Sequence, residues 1–172
     1  ISSMGSHVSV VPNHQLNRIT SLHTRANVAY FGTFGYELDL NKLTDEEIAE
    51  VKAQIIFMKE YRELIQFGNF YRLKSPFDGN ETVWMTVSED KRKALVFWYR
   101  ERNVVNAEFT RVRLQGLDPD LIYKNEYNGT ENYGDELMNL GLLTTDVTAG
   151  EPTNEDLPCT DYESRIYVLT AE

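Results

Sequence analysis

The spacing of apolar residues changes near residue 68, and this change constrains the fold more than any other feature of the chain. In residues 45–67 apolar side chains recur at the spacing of one helix face. After Gly68 the pattern alternates with a period of two and is interrupted by short turn sequences. We therefore predict an α/β portion over residues 1–67 and an all-β portion over residues 68–172.

The segment 45–67 carries helix signals at both ends. Thr44 and Glu47 form a capping-box pattern, in which each side chain bonds the backbone N–H of the other residue. Gly68 stands where a glycine commonly ends a helix. Five apolar residues fall on roughly one face: Ile48, Val51, Ile55, Met58 and Ile65. We predict a helix over 45–67, whose apolar face packs on the β portion or on a neighbouring chain, because its exposure would favour aggregation.

Weaker signals precede this helix. Residues 6–11 alternate and end at Pro12, which predicts a strand. Residues 21–31 are moderately amphipathic, and Thr20 is a candidate cap for a helix there. Residues 35–40 are interpreted as an ordered loop.

The β portion contains short alternating segments at near-regular spacing. The candidate strands are residues 70–73, 82–88, 94–99, 109–114, 121–124, 136–138 and 165–169. Such spacing indicates an antiparallel sandwich or barrel. Together with the preceding helices, it places the chain in the α+β class.

Charge and cysteine content exclude several functions. The formal net charge of −10 argues against nucleic acid and anionic membranes as partners. The sequence has no stretch of ~20 apolar residues of the kind that crosses a bilayer. Cys159 is the single cysteine, which excludes an internal disulfide, and it fits a reducing compartment such as the cytoplasm. The opening residues form neither a signal peptide nor a natural start, so we expect further residues upstream.

Several blocks of the chain resemble a known family. These are Gly5-Ser6-His7-Val8-Ser9, Val11-Pro12-Asn13-His14-Gln15, Thr24-Arg25, Phe34 to Leu40, Tyr61 to Gln66, Phe70 to Leu73, Ser75-Pro76-Phe77, Gly116 to Pro119 and Tyr133 to Met138. In this order they resemble the C-terminal region of bacterial α-galactosidases of glycoside hydrolase family thirty-six. The resemblance covers nearly the whole chain and is least convincing over residues 144–162.

The resemblance implies a fold and an activity. The expected fold is the last strand and helix of a β/α (TIM) barrel over residues 1–67, followed by an antiparallel accessory β-sandwich over residues 68–172. The expected activity is removal of terminal α-galactose from melibiose, raffinose and related oligosaccharides, by a retaining mechanism with two carboxylates and no cofactor. In the family both carboxylates precede the Gly-Ser-His-Val-Ser run, so no catalytic residue is assigned here and the segment alone is expected to be inactive.

Candidate site residues cluster near the start of the chain. His7 lies on the expected barrel strand, and Asn13 and His14 follow it, where barrel enzymes bind substrates. We name these three as candidate substrate-binding residues, with hydrogen-bonded structural roles as the alternative. Glu37 and Asp39 share one face if extended, but we favour a loop-fixing role for them over a catalytic pair. The three histidines match no usual metal-ligand spacing, so no metal site is predicted.

The aromatic residues of the β portion leave a second function open. Trp84, Trp98, Tyr99, Tyr71 and Phe97 suit either sugar stacking or core packing, and we favour the core. Exposed aromatics clustered in one groove would favour a non-catalytic carbohydrate-binding module. An oligomerisation domain is the remaining alternative, and we expect the complete protein to be a homo-oligomer.

Overall fold

The computed structural model describes residues 1, 3–102, 104, 109–144 and 161–172. The chain divides into two compact units, Ile1–Gly68 and Asn69–Glu172. Within the described ranges, no helix is both long enough and apolar enough to cross a bilayer.

The first unit contains a pair of short parallel strands. Strand β1, Val8–Ser9, pairs with strand β2, Tyr36–Glu37, and Val8 is aligned with Tyr36. The strand predicted over residues 6–11 is therefore present but much shorter. The prediction of a loop over 35–40 is wrong, because these residues supply β2 and the start of a short 3-10 helix, Leu40–Lys42.

Helix α1, Leu22–Ala29, follows β1. Its N-cap is Ser21, whose hydroxyl accepts from the Thr24 N–H at 3.0 Å, and not Thr20 as we predicted. The helix is also shorter than the predicted 21–31. Leu22, Ala26 and Ala29 are buried, so one face of this short helix enters the core.

Helix α2 spans Asp45–Phe67, which confirms the predicted bounds. The capping box is complete: Glu47 N–H donates to Thr44 Oγ1, and Thr44 N–H donates to Glu47 Oε2 at 2.9 Å. Gly68 ends the helix in an extended conformation, with φ −65° and ψ 165°, so the left-handed glycine cap does not form.

The predicted apolar face of α2 is largely removed from solvent. Val51, Met58 and Ile65 are buried, and Ile48 and Ile55 are half-buried. Aromatic rings pack beside this face within the first unit. The ring centroid of Phe57 lies 4.9 Å from that of Tyr30 and 4.7 Å from that of Tyr61. Packing of this face on the β portion or on another chain stays a prediction.

The second unit is built on a six-stranded antiparallel sheet. Its elements in chain order are β3 (Asn69–Lys74), β4 (Glu81–Val87), β5 (Lys93–Arg100), β6 (Arg111–Val112), β7 (Ile122–Asn125), β8 (Glu131–Tyr133), α3 (Gly134–Asn139), β9 (Leu142–Leu143) and β10 (Glu163–Ala171). The order across the sheet is β3-β4-β5-β10-β7-β8, and β6 pairs separately with β9. The described residues therefore form an α+β arrangement dominated by antiparallel sheet.

One prediction in this unit is wrong. Residues 136–138, predicted as a strand, lie in α3. Asp135 and Glu136 occupy its first turn, where negative side chains favour a helix N-terminus. Three residues are too few for alternation to distinguish a strand from a helical turn. The short strands β8 and β9 were not predicted, and the strand predicted over 109–114 is reduced to β6.

The core of this unit lies between one face of the sheet and the segments that cross it. Alternate residues of β4, β5 and β10 pack against Val112, Leu137 and Leu142. Trp98 belongs to this cluster and is 1% exposed. Its neighbour Phe97 is also fully buried.

Candidate functional site

The two helices of the first unit lie on one side of the parallel strands. Ser6 Oγ donates to the carbonyl of Ala29 on α1, and Tyr36 Oη donates to Gln54 Oε1 on α2 at 2.8 Å. Val8, between these positions on the same face, is fully buried. Because side chains alternate along a strand, His7 and Glu37 point to the opposite face, away from both helices.

On that face His7 and Glu37 form a pair across the strands. The Nε2 atom of His7 lies 2.6 Å from Oε2 of Glu37, with the side chains 51% and 74% exposed. The pair joins residues that are far apart in the chain. A partner for His7 could not have been deduced from residue spacing.

Asp39 has a different role. Its Oδ1 accepts from the backbone N–H of Asn41 and from Asn41 Nδ2, both at 3.1 Å, and so caps the short 3-10 helix. Lys42 Nζ lies 3.8 Å from the other carboxylate oxygen. Glu37 contacts His7 and Asp39 fixes a turn, so the two carboxylates have different partners. The loop-fixing role that we favoured fits Asp39.

The edge loop, residues 10–20, follows the C-terminal end of β1. Asn13 organises it: its side-chain Oδ1 accepts from the N–H groups of Gln15 and Leu16, each at 3.0 Å. The Asn13 N–H donates to the carbonyl of Arg18 at 2.9 Å. The turn role that we gave as the alternative therefore describes Asn13. His14 is next in the loop, with its side chain exposed.

The predicted site residues are partly brought together. Asn13 and His14 share the edge loop, and His7 precedes the strand that leads into it. His23 lies elsewhere, on α1, with its Nε2 3.0 Å from Asn27 Nδ2. Among the described residues, no group of three or more His, Cys, Asp or Glu side chains is placed to hold a metal ion.

Arg25 is a contact residue of this site that we did not single out from sequence. Its Nη1 donates to the carbonyl of Ser9 at 2.5 Å, and its Nε donates to the carbonyl of Thr20 at 3.2 Å. A cavity of about 180 Å³ is lined by Asn13, Arg18, Arg25 and other residues of the loop. Partial burial lowers the pKa of Arg25, and the carboxylates of Glu47 and Glu50 act in the opposite direction.

The five aromatic residues named from the sequence are buried or half-buried, whereas Phe77, Phe109, Tyr127 and Tyr133 are exposed. Trp84 contacts Phe70 at 6.3 Å and Tyr99 at 5.8 Å between ring centroids, edge to face. The guanidinium groups of Arg100 and Arg165 lie over the ring of Trp98, at 5.4 and 5.3 Å. Two cavities of about 360 and 410 Å³ in this unit have no aromatic side chain in their linings.

Comparison with known proteins gives two adjoining family matches. Residues 1–68 match the family model described as Melibiase. Residues 81–169 match the model described as the glycosyl hydrolase family 36 C-terminal domain.

Individual relatives agree with these matches. The α-galactosidase AgaA of Geobacillus stearothermophilus is 52% identical over 142 residues, which are 83% of this chain and 19% of the relative. The bifunctional α-galactosidase/sucrose kinase AgaSK of Mediterraneibacter gnavus is 45% identical over 83% of this chain and 15% of its own length. The chain thus spans about one fifth or less of the length of these curated relatives.

Solved structures match over almost the whole chain. The crystal structure of AgaA superposes with a TM-score of 0.88 at 45% identity, over 99% of this chain and 22% of that chain. An AgaA variant in complex with stachyose gives a TM-score of 0.89 at 45% identity, over 100% of this chain and 22% of that chain. With a family model that covers more than half of its residues, the chain belongs to glycosyl hydrolase family 36.

Proposed function

We propose that residues 1–172 are the C-terminal part of an α-galactosidase that removes terminal α-galactosyl residues from oligosaccharides. The relatives are named as α-galactosidases, and the solved structures include AgaA variants bound to stachyose and raffinose. The observation that carries the proposal lies in the first unit, where parallel β1 and β2 have α1 and α2 on one face and His7 and Glu37 on the other.

This arrangement is the one that a β/α barrel requires of adjacent strands. In such a barrel the helices form the outer layer, and the opposite face of each strand points to the interior. Substrates bind at the C-terminal ends of the strands, which is where the edge loop follows β1. His14 is then the best placed of the three candidates to contact a sugar, while Asn13 shapes the loop and His7 lies deeper, beside Glu37.

The catalytic pair is proposed to lie outside residues 1–172. A retaining glycosidase needs two carboxyl groups about 5–5.5 Å apart, one as nucleophile and one as acid and base. Glu37 is held by His7 and Asp39 by Asn41, and both side chains are exposed in the described chain. Neither lies in the enclosed, partly apolar cleft that a general acid requires. Residues 1–172 alone are therefore expected to be inactive.

The second unit is proposed to be the accessory β-sandwich of the complete enzyme. Its buried cluster, with Trp98 and Leu169 fully enclosed, gives it a core of its own. The packed aromatics do not favour a carbohydrate-binding module. Assembly of the complete enzyme as a homo-oligomer, and its place in the cytoplasm, belong to the same proposal; the lone cysteine supports the latter.

Hydrolysis of a chromogenic α-galactoside tests the proposal, with the matching β-galactoside as the control for linkage. Three samples are compared: residues 1–172 alone, the full-length enzyme, and residues 1–172 mixed with the upstream segment. We expect turnover by the full-length enzyme and the mixture, and none by residues 1–172 alone. Turnover by residues 1–172 that is lost in Glu37→Gln but kept in Asp39→Asn would overturn the placement of the catalytic pair.

A further inference from the structure

Both ends of the edge loop are held by one guanidinium group. The carbonyl of Ser9, the last residue of β1, accepts from Arg25 Nη1 at 2.5 Å. The carbonyls of Thr20 and Ser21, at the entry to α1, accept from Arg25 Nε at 3.2 and 3.4 Å. Arg25 thus connects the residue that precedes the loop to the residues that close it.

The edge loop has little apolar packing that could do the same. Val10, Leu16 and Ile19 are 49%, 68% and 72% exposed, and Val11 is half-buried. The hydrogen bonds of Asn13 shape the turn within the loop, and none of these bonds reaches the end of β1. The position of the loop on the strand edge therefore depends on polar contacts at its base.

The planar guanidinium suits this task better than an ammonium group. It presents donors in a fixed fork, so one side chain can bond separate carbonyls at set angles, whereas lysine acts as a flexible point charge. Hydrogen bonds to a charged donor are stronger than neutral ones, and partial burial protects them from competing water.

We infer that Arg25 is the positioning residue of the substrate-binding loop, because its guanidinium group fixes the edge loop that carries Asn13 and His14. The inference rests on the proposed function, since it assigns the loop to the sugar. Arg25 itself lies below the loop and acts through the backbone carbonyls of Ser9 and Thr20.

The test uses the full-length enzyme with Arg25→Lys and Arg25→Ala. Arg62→Ala, which removes an exposed arginine from α2, is the matched control. Four quantities are measured: KM and kcat with a chromogenic α-galactoside, the melting temperature, and amide hydrogen exchange of the peptide that contains residues 10–20. Arg25→Ala is also assayed with added millimolar guanidinium chloride and, for comparison, with sodium chloride.

We expect both Arg25 variants to raise KM by about tenfold, because they lose charge-assisted hydrogen bonds that shape the binding loop. Exchange in the loop should become faster, and guanidinium should lower the KM of Arg25→Ala while sodium chloride does not. Arg62→Ala should match the wild type in all four measurements.

Other outcomes distinguish a failure of the positioning role of Arg25 from a failure of the proposed function. An apparent kcat that falls at unchanged KM, with a lower melting temperature, indicates loss of folded enzyme and overturns the positioning role. Unchanged loop exchange, or faster exchange with unchanged KM, also overturns it. If the wild-type enzyme hydrolyses no α-galactoside, the proposed function fails, and loop exchange still decides whether Arg25 fixes the loop.

Discussion

His7 and Glu37 meet across the parallel strands β1 and β2, with His7 Nε2 2.6 Å from Glu37 Oε2, on the face turned away from both helices. In the proposed barrel this face is the interior, where the carboxylate would orient the imidazole beneath the substrate. We expect Glu37→Gln in the full-length enzyme to lower kcat/KM by about tenfold, the effect of weakening one charge-assisted hydrogen bond. Steady-state kinetics measure this, with Asp39→Asn as the control that keeps an acceptor oxygen in its turn.

The same pair should contribute little to stability. Exposed side-chain pairs of this kind are worth about 0–1 kcal/mol, because solvent screens them. A double-mutant cycle with His7→Ala and Glu37→Gln, followed by urea unfolding, should give a coupling energy in that range. A larger coupling energy would show that the pair is a structural brace.

The Thr44 cap of α2 can be tested by substitution. Thr44→Ala removes the hydroxyl that accepts from the Glu47 N–H and should lower the free energy of unfolding by about 1 kcal/mol. Thr44→Ser keeps an acceptor and should lose much less. Equal losses in the two variants would contradict a capping role. Chemical denaturation with unchanged m-value is the appropriate measurement.

Gly134, the first residue of α3, provides a steric test. A Cβ atom there would lie 1.9 Å from the carbonyl oxygen of Asp118, and backbone cannot yield as a side-chain tip can. Gly134→Ala should therefore destabilise the protein by about 1–3 kcal/mol or more. Gly79→Ala is the matched control, since its Cβ would meet nothing within 4 Å. It should change stability by less than about 0.5 kcal/mol. Equal unfolding midpoints for the two variants would contradict the close approach at Asp118.

We predict that ionisation of the Tyr36 phenol lowers the stability of the protein at high pH. Burial, with a smaller contribution from the nearby charge of Glu50, raises its pKa to about 12. In the unfolded chain a tyrosine titrates at about pH 10, so folding favours the neutral phenol. The stabilisation is complete below that pH and is lost between about pH 10 and about pH 12.

Urea unfolding across this pH range should show stability falling with pH. The fall should be shallower in Tyr36→Phe, which has no phenol to ionise. Tyr133→Phe, at a ring that is 52% exposed, is the control for the loss of one hydroxyl. A Tyr36→Phe slope equal to that of the wild type would show that Tyr36 does not carry the effect.

Local signals explain which elements could be predicted. Helix α2 was predicted residue for residue, because its capping box and its repeat of apolar residues act within a few positions of each other. The error at α3 has a different cause: the N–H of Gly134, the first residue of α3, donates to the carbonyl of the distant Leu121, and alternation over 136–138 does not encode that contact.

The site depends on contacts between distant residues. His7 and Glu37 are 30 positions apart, and Arg25 bonds a carbonyl 16 positions earlier in the chain. Residue type and resemblance were enough to select His7, Asn13 and His14. They could not show that Asn13 turns its side chain into the loop, or that an arginine on α1 holds the loop at both ends. Every residue has a backbone carbonyl, so the acceptor of such a hydrogen bond cannot be recognised from the residue type.

Strand β10 lies between β5 and β7 in the sheet, although it follows all the other strands of this sheet in the chain. Before the ribosome reaches residues 163–171, β3, β4 and β5 can form one hairpin array and β7 with β8 another, each with an open edge facing the gap. The strand that joins them is aligned with β5 over eight residue pairs, so it completes both halves in one step. A chaperone that shields those open edges would be needed most during synthesis of the acidic stretch just before β10, and a stop codon there would leave two half-sheets with aggregation-prone edges.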